Sequence, residues 1–436
     1  AAAASPEHNN NDCQGYGPPM NLVLGLQALL GIAVFIALAL PFSTSIRRIS
    51  WRVVLVAVAL QFAICFVLLR VPVVSDALGY LNKAVAAIST ATQAGTSFVF
   101  GYLGGGTPPF AVTNPGALQT FAFTIIPIII VVSAMSAVAW YWRVLPVVIR
   151  AISWVFERAL GTTGPAGLAV TANVFLGQVE APLLVRPYIA KMTRYELLLL
   201  MTAGMAMIAG SMMVVYSAML ASHFDNMISQ LLTKSLMSIP ASILFAHLMI
   251  PDEGQSADHA EPGRIYGSTM DAITRGTTDG LHIWLNVIAI LVVLIALVAL
   301  VNLGIGALPP VAGAPLSLER FAGWLFAPLA WLMGISWNEA VTAGSLLGIK
   351  TILNEFIAYL KLAEMGPGVL SPRAQLITIY ALCGFANLSS MGIQISGIAA
   401  MAPERRDDLN ALAVRSLVAA TLASCMTGAV VGLVAF

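Results

Sequence analysis

The sequence predicts an all-α polytopic membrane protein: eight transmembrane helices plus two re-entrant helical hairpins, arranged as inverted repeats. Three observations carry this reading. Hydrophobic residues make up 59% of the 436-residue chain and charged residues only 9%, against about 25% charged in an ordinary soluble domain, and mean hydropathy is +0.88. The apolar residues fall in runs of about 20, the helical span of a ~30 Å hydrocarbon core, rather than in the ~10-residue alternations of an outer-membrane barrel. Two acidic motifs lie inside these apolar surroundings: Gly177-Gln178-Val179-Glu180-Ala181-Pro182 and Asn354-Glu355-Phe356. A carboxylate at membrane depth costs roughly 3 kcal/mol or more, so each of these must be answered by polar partners.

From the N-terminus, residues 1–19 read as an appended or disordered leader and Met20 as a natural start. No basic stretch followed by an apolar run marks the leader as a signal peptide. Spanning helices are expected near 22–41, 52–70, 118–143, 197–222, 226–250, 278–304, 373–402 and 408–434. With the N-terminus outside, the cytoplasmic connections hold about 13 Lys/Arg, among them Arg47, Arg48, Arg143, Arg150 and Arg405, against about six in the outer ones. The positive-inside rule therefore puts both termini outside and most of 251–275 in the cytoplasm.

Two segments resist the spanning assignment. Region 160–192 is interrupted by Gly161, Gly164, Pro165, Gly177, Pro182 and Pro187, and region 335–362 by Asn338, Glu339, Asn354 and Glu355. Broken backbone at membrane depth is tolerated only where protein or a water cavity satisfies it, so both are expected to be hairpins of two half-helices meeting at a polar tip. Each is followed by two spanning helices, which is the order of inverted-topology repeats with a site at the midplane. The organisation expected is residues 20–158 as N-terminal helices and scaffold, 159–250 as the first hairpin repeat, 251–334 as loop, spanning helix and interfacial segment, and 335–436 as the second hairpin repeat.

Several function classes are excluded. A net charge of +1 supplies no field for nucleic acid. Four scattered cysteines without CxxC spacing and five histidines without an HxxxH pair argue against a disulfide framework or a metal cluster. An intramembrane enzyme could use two carboxylates as acid and base, but no histidine stands near either and no G-x-S-x-G is present. A passive channel would favour rings of carbonyls or charges over two unlike hairpins.

The polar residues suggest recognition. Gln178 offers a carbonyl acceptor and two amide donors, matching the donor–acceptor edge of a nucleobase, and Pro182 favours a backbone break beside it. Glu355 can accept two hydrogen bonds side by side, which suits a vicinal diol such as that of ribose. The structural alternatives are a capped helix break at Gln178–Glu180 and an ion pair of Glu355 with Lys350 or Lys361. In the segment Tyr380–Gly392, Asn387 and Ser390 share a helix face and Phe385 is placed to pack on a ring; the alternative is interhelical glue at about 0.6 kcal/mol per bond. Met201–Ser211 reads as a small-residue packing face, and Thr278 or Asp279 in Gly276–Gly280 as the N-cap of the following helix.

G-Q-x-E-A-P followed by L-L-V-R-P-Y, then G-T-T-D-G-L, N-E-F-x-A-Y and A-L-C-G-F-A-N-x-S-S, in this order from about Leu22 to Phe436, resemble the concentrative nucleoside transporters. The resemblance implies a homotrimer in the bacterial cytoplasmic (inner) membrane, with interfacial helices, and cation-coupled nucleoside uptake by an elevator-type motion of the hairpin domain. It implies that Gln178, Val179 and Glu180 face the base, that Glu355, Asn387 and Ser390 face the ribose, and that Phe385 lies beside the ligand. No cofactor beyond a coupling ion is implied. The chain departs from the family at two places. Val179 stands where Thr or Ser is common, and Met207 replaces a hydroxyl of the sodium site, leaving Asn173 and the carbonyls of Leu176 and Ile208. Sodium is hard and takes oxygen ligands, whereas a thioether is soft. The expected coupling ion is therefore the proton, carried by Glu180 or Glu355, whose charged form an apolar medium disfavours; sodium held around Asn173, Leu176, Val179, Met207 and Ile208 is the alternative.

Overall fold

A computed structural model of the chain describes residues 22–113, 120–161, 164–221, 224, 226–251, 265–311, 313, 315–366 and 368–435. The leader, Met20, the start of the expected span at 118 and residues 252–264 of the polar loop lie outside the described residues. Helices dominate, as composition required. α1 (Leu22–Ala39), α2 (Trp51–Arg70) and α3 (Pro72–Phe100) lead to the short α4 (Phe121–Thr124) and α5 (Ile128–Tyr141). Next is α6 (Val144–Leu160), which buries Pro146, Ile149, Ser153, Phe156 and Leu160. That 3-4-3-4 spacing is one buried stripe along the helix.

The first hairpin consists of α7 (Gly164–Ala172), α8 (Glu180–Leu184) and α9 (Arg186–Ile189). Pro182 and Pro187 keep its second limb in two short pieces by removing backbone donors. Arg405 closes the limb's end, its guanidinium donating to the carbonyls of Ala190 at 3.0 Å and Met192 at 2.6 Å. α10 (Arg194–Ala206) opens with a Thr193–Glu196 capping box, α11 (Gly210–Leu220) continues it after a break, and α12 (Met227–Met249) spans without interruption.

The second half repeats this order. The 38-residue α13 (Thr269–Gly306) precedes α14 (Leu318–Leu332), then a hairpin of α15 (Trp337–Ile352) and α16 (Glu355–Glu364), a broken helix α17 (Pro372–Leu382) and α18 (Leu388–Met401), and the continuous α19 (Arg406–Val434). α14 packs antiparallel on α15 through small residues: a Cβ on Gly344 would lie 2.6 Å from the Ala327 nitrogen, an approach that only glycine permits. Helices α6 and α14 occupy equivalent places before the two hairpins.

Seven helical stretches among the described residues are long and apolar enough to cross a membrane, Leu22–Phe42, Trp51–Arg70, Phe121–Tyr141, Arg194–Leu220, Met227–Met249, Thr269–Gly306 and Pro403–Val434. The broken pair α17–α18 makes the eighth, as expected for the fold class. Four sequence readings need correction. The spans expected as continuous at 197–222 and 373–402 are each interrupted, at Met207–Ala209 and Cys383–Asn387. α3 was not foreseen, because Asn82, Lys83 and Gln93 dilute its apolar face below spanning hydropathy. The last long apolar helix before the second hairpin starts at Thr269 with Ser268 as its cap, so neither Thr278 nor Asp279 caps it. Gly276 and Gly280 lie inside that helix instead and press on α5, where a Cβ on Gly280 would sit 2.6 Å from the Ile130 Cα.

Candidate functional site

The two broken helices cross at their breaks. α10 ends at Ala206, and Gly384, at φ +153°, lies against it: a Cβ there would be 2.7 Å from the Ala206 carbonyl oxygen. The Phe385 amide donates to the Met207 carbonyl at 3.3 Å, and the Gly210 amide to Phe175 in the first hairpin at 3.0 Å. The first hairpin therefore meets the crossing point of the two breaks.

In the second half, the helix after the hairpin tip and the helix after the break each start with an asparagine cap. Asn354 Oδ1 accepts from the Ile357 amide at 2.9 Å to start α16, and Asn387 Oδ1 accepts from the Ser390 amide at 2.7 Å to start α18. Such a cap is worth about 1 kcal/mol. It also leaves the Asn387 amide free to donate elsewhere, and Nδ2 reaches Glu355 Oε2 at 3.1 Å. Tyr216 of α11 donates to the other oxygen, Oε1, at 2.8 Å. Glu355 is buried, with 4% of its surface exposed, and each of its carboxylate oxygens is answered once. Residues at the starts of α11, α16 and α18 all line the cavity beside it. Rings hold Tyr216 in position, with Tyr359 at 4.8 Å and Phe356 at 5.9 Å between centroids.

Beside Glu355 lies a cavity of about 280 Å³, close to the roughly 300 Å³ at which small-molecule sites begin. Gln178, Val179 and Glu180 of the first hairpin line one side, and Asn354, Glu355, Phe356, Phe385 and Ser390 the other. Six of the seven residues expected to touch substrate are thus brought together, and the seventh, Asn387, stands behind Glu355 as its donor. Glu180 is accessible and opens onto the cavity; its carboxylate folds back over Gly177, where any side chain would overlap it. The Gln178 carbonyl oxygen is buried without a hydrogen-bond partner. The expected alternative for Glu355, a direct bond to a lysine, is not what forms: Lys350 donates to the Ala381 carbonyl at 2.8 Å and Lys361 lies 3.9 Å from Glu364.

Sequence reasoning missed the other walls. α11 contributes Ser211 and Met212, and α13 contributes Ile283, Asn286, Val287 and Ile290. Tyr216 was also missed; a lone tyrosine in an apolar run carries no signal until its partner is known.

The residues of the expected sodium site lie outside the cavity wall, Val179 excepted. Asn173 is buried, with Nδ2 donating to Ala169 at 3.2 Å and Oδ1 unpartnered. Val179 directs both methyls at Gly397, where a Cβ would be 2.9 Å away. Met207 and Ile208 are fully buried. Among the described residues no group of three or more His, Cys, Asp or Glu side chains could hold a metal ion.

Comparison with known proteins places the chain among membrane carriers. Family models described as "Na+ dependent nucleoside transporter" match residues 30–103 (N-terminus) and 230–432 (C-terminus), and one described as "Nucleoside recognition" matches residues 122–223. The chain is 36% identical to an uncharacterized transporter of Haemophilus influenzae, covering 94% of this chain and 97% of that one. It is 31% identical to the nucleoside permease NupC of Helicobacter pylori, covering 94% and 97%. It is 35% identical to CNTnw in an inward-facing substrate-bound state, with a TM-score of 0.85 over 94% of this chain and 99% of that one; CNTnw has also been solved in an outward-facing state.

Proposed function

Since the chain belongs to the concentrative nucleoside transporter family and is a membrane-embedded nucleoside transporter, we propose that it is a proton-coupled symporter carrying nucleosides into the cell. One observation carries the reading: the two hairpin tips, distant in sequence, present unlike recognition groups to a single cavity. Gln178 supplies an amide edge for the base, and Glu355, fixed by Tyr216 and Asn387, keeps lone pairs for two adjacent ribose hydroxyls. Ser390 adds a hydroxyl on the ribose side and Phe385 a ring face. Glu180 is the proton carrier we favour, because it faces the cavity directly whereas both oxygens of Glu355 are held by protein donors.

The hairpins and the broken helices form the moving unit of an elevator, and α13 with α5 forms the wall past which it moves. The broad apolar surface of α13 suits lipid and the packing of a homotrimer. Cytoplasmic-membrane placement with both termini outside follows the Lys/Arg asymmetry. Sodium coupling is the second reading; the unpartnered, buried Asn173 Oδ1 favours it, as does the family description. Against it, Val179 and Met207 bring no side-chain oxygen to the place.

Uptake of uridine and adenosine into vesicles decides between them, under a proton gradient without sodium and then under a sodium gradient without a proton gradient. Accumulation in the first condition is expected; strict dependence on the second overturns proton coupling.

A further inference from the structure

The interior of the hairpin domain holds two lysines that substrate recognition does not use. Lys234 on α12 is completely buried and Lys350 on α15 nearly so, at 2% exposure. Each is placed alike. The Lys234 ammonium donates to the carbonyl of Ala206, the last residue of α10, and Lys350 donates to Ala381, the next-to-last residue of α17. Each therefore sits at the C-terminal, negative end of the half-helix that precedes a break. Burying an ammonium with a single carbonyl is costly unless the surroundings are negative, so these positions are specific electrostatic placements rather than space filling.

Lys234 occupies the more informative place. Ala206 immediately precedes Met207 and Ile208, two of the positions where the family resemblance puts a sodium ion. Two of the side chains there fit sodium poorly, although Asn173 Oδ1 is unpartnered: Val179 turns hydrocarbon to Gly397, and Met207 offers a thioether. A bound cation and a buried ammonium one residue apart would also repel each other strongly in a low dielectric.

We propose that Lys234 is a tethered cation that takes the place of sodium at the break between α10 and α11, so that this transporter binds no sodium there. The inference rests on family membership and on the location of the sodium positions, but not on the proton as driving ion. Its test is a binding readout: thermal unfolding of the purified full chain in detergent, without nucleoside, in sodium chloride against choline chloride at equal ionic strength. A ligand that binds only the folded state raises the unfolding temperature. The wild type is expected to be indifferent to the cation. Val179→Thr/Met207→Ser with Lys234 retained is expected to stay indifferent, and the same pair with Lys234→Met to gain stabilisation by sodium.

Sodium stabilisation of the wild type, or of the pair that keeps Lys234, overturns the proposal, as does its absence in a folded triple variant. If the triple variant does not fold, the first two proteins still decide. Vesicle uptake reports on nucleoside and proton separately, so failure there and failure here are told apart.

Discussion

Tyr216 and Glu355, 139 residues apart in sequence, meet through a 2.8 Å hydrogen bond that ties the broken helix of the first repeat to the hairpin tip of the second. The bond fixes one carboxylate oxygen while Asn387 fixes the other, so the ligand meets a carboxylate whose orientation is already set. Preorganisation of this kind lowers the ordering cost of binding.

Replacing Glu355 by Gln removes one acceptor position and the charge, and is expected to abolish nucleoside uptake. Tyr216→Phe removes only the orienting bond. A hydrogen bond to a charged group contributes about 1.5–3 kcal/mol, so roughly a ten- to hundredfold loss of uptake efficiency is expected. Concentration-dependent uridine uptake measures both; a Tyr216→Phe protein with wild-type KM and maximal rate would contradict the assignment.

Glu180→Gln keeps the shape of the cavity wall but cannot exchange a proton. It is expected to retain exchange of labelled for unlabelled nucleoside and to lose accumulation against a gradient. Continued accumulation driven by a proton gradient would remove Glu180 from the coupling step.

At Gly384 the backbone needs both a positive φ and the space of a missing Cβ. Gly384→Ala is expected to lower the unfolding temperature sharply or prevent assembly. Gly392→Ala, where nothing lies within 4 Å, serves as the near-neutral control. Equal stability of the two variants, read by thermal unfolding in detergent, would show that the crossing of the breaks is looser than described.

Val179 and Gly397 are coupled by contact. Gly397→Ala would place a methyl 2.9 Å from both Val179 methyls and is expected to cost about 1–3 kcal/mol through overpacking. Val179→Ala should restore most of that loss, because neighbours in contact are not additive. A double variant no more stable than Gly397→Ala alone would argue that the hairpin tip does not rest on α18.

Much of the architecture was legible because bilayer thickness dictates helix length and because lipid tolerates broken backbone only around a site. The motif residues Gln178, Glu180, Glu355 and Ser390 do come together at one cavity. The breaks at Met207–Ala209 and Cys383–Asn387 were not legible from hydropathy, which averages over them, because the crossing partner lies in the other repeat; only the family resemblance implied an unwound helix around Asn387 and Ser390. From hydropathy Asn387 reads as a mid-helix side chain; as an N-cap it uses one amide atom to start α18 and the other to hold Glu355. Tyr216 and Lys234 carry no local pattern, because their partners lie 139 and 28 residues away in other helices, and the α13 wall is marked only by its scarcity of polar groups.

That absence has a dynamic consequence. Along the cavity α13 presents Ile283, Val287 and Ile290, with Asn286 as its single polar side chain. A hydrocarbon face offers no sequence of hydrogen bonds to be made and broken, so a polar cargo sliding along it meets no intermediate resting places. On the proposed elevator motion the wall acts as a low-friction rail. Adding a second polar side chain to α13, by Val287→Asn, would install a rung on that rail and is expected to slow translocation, beyond any change in affinity at the cavity that Val287 lines.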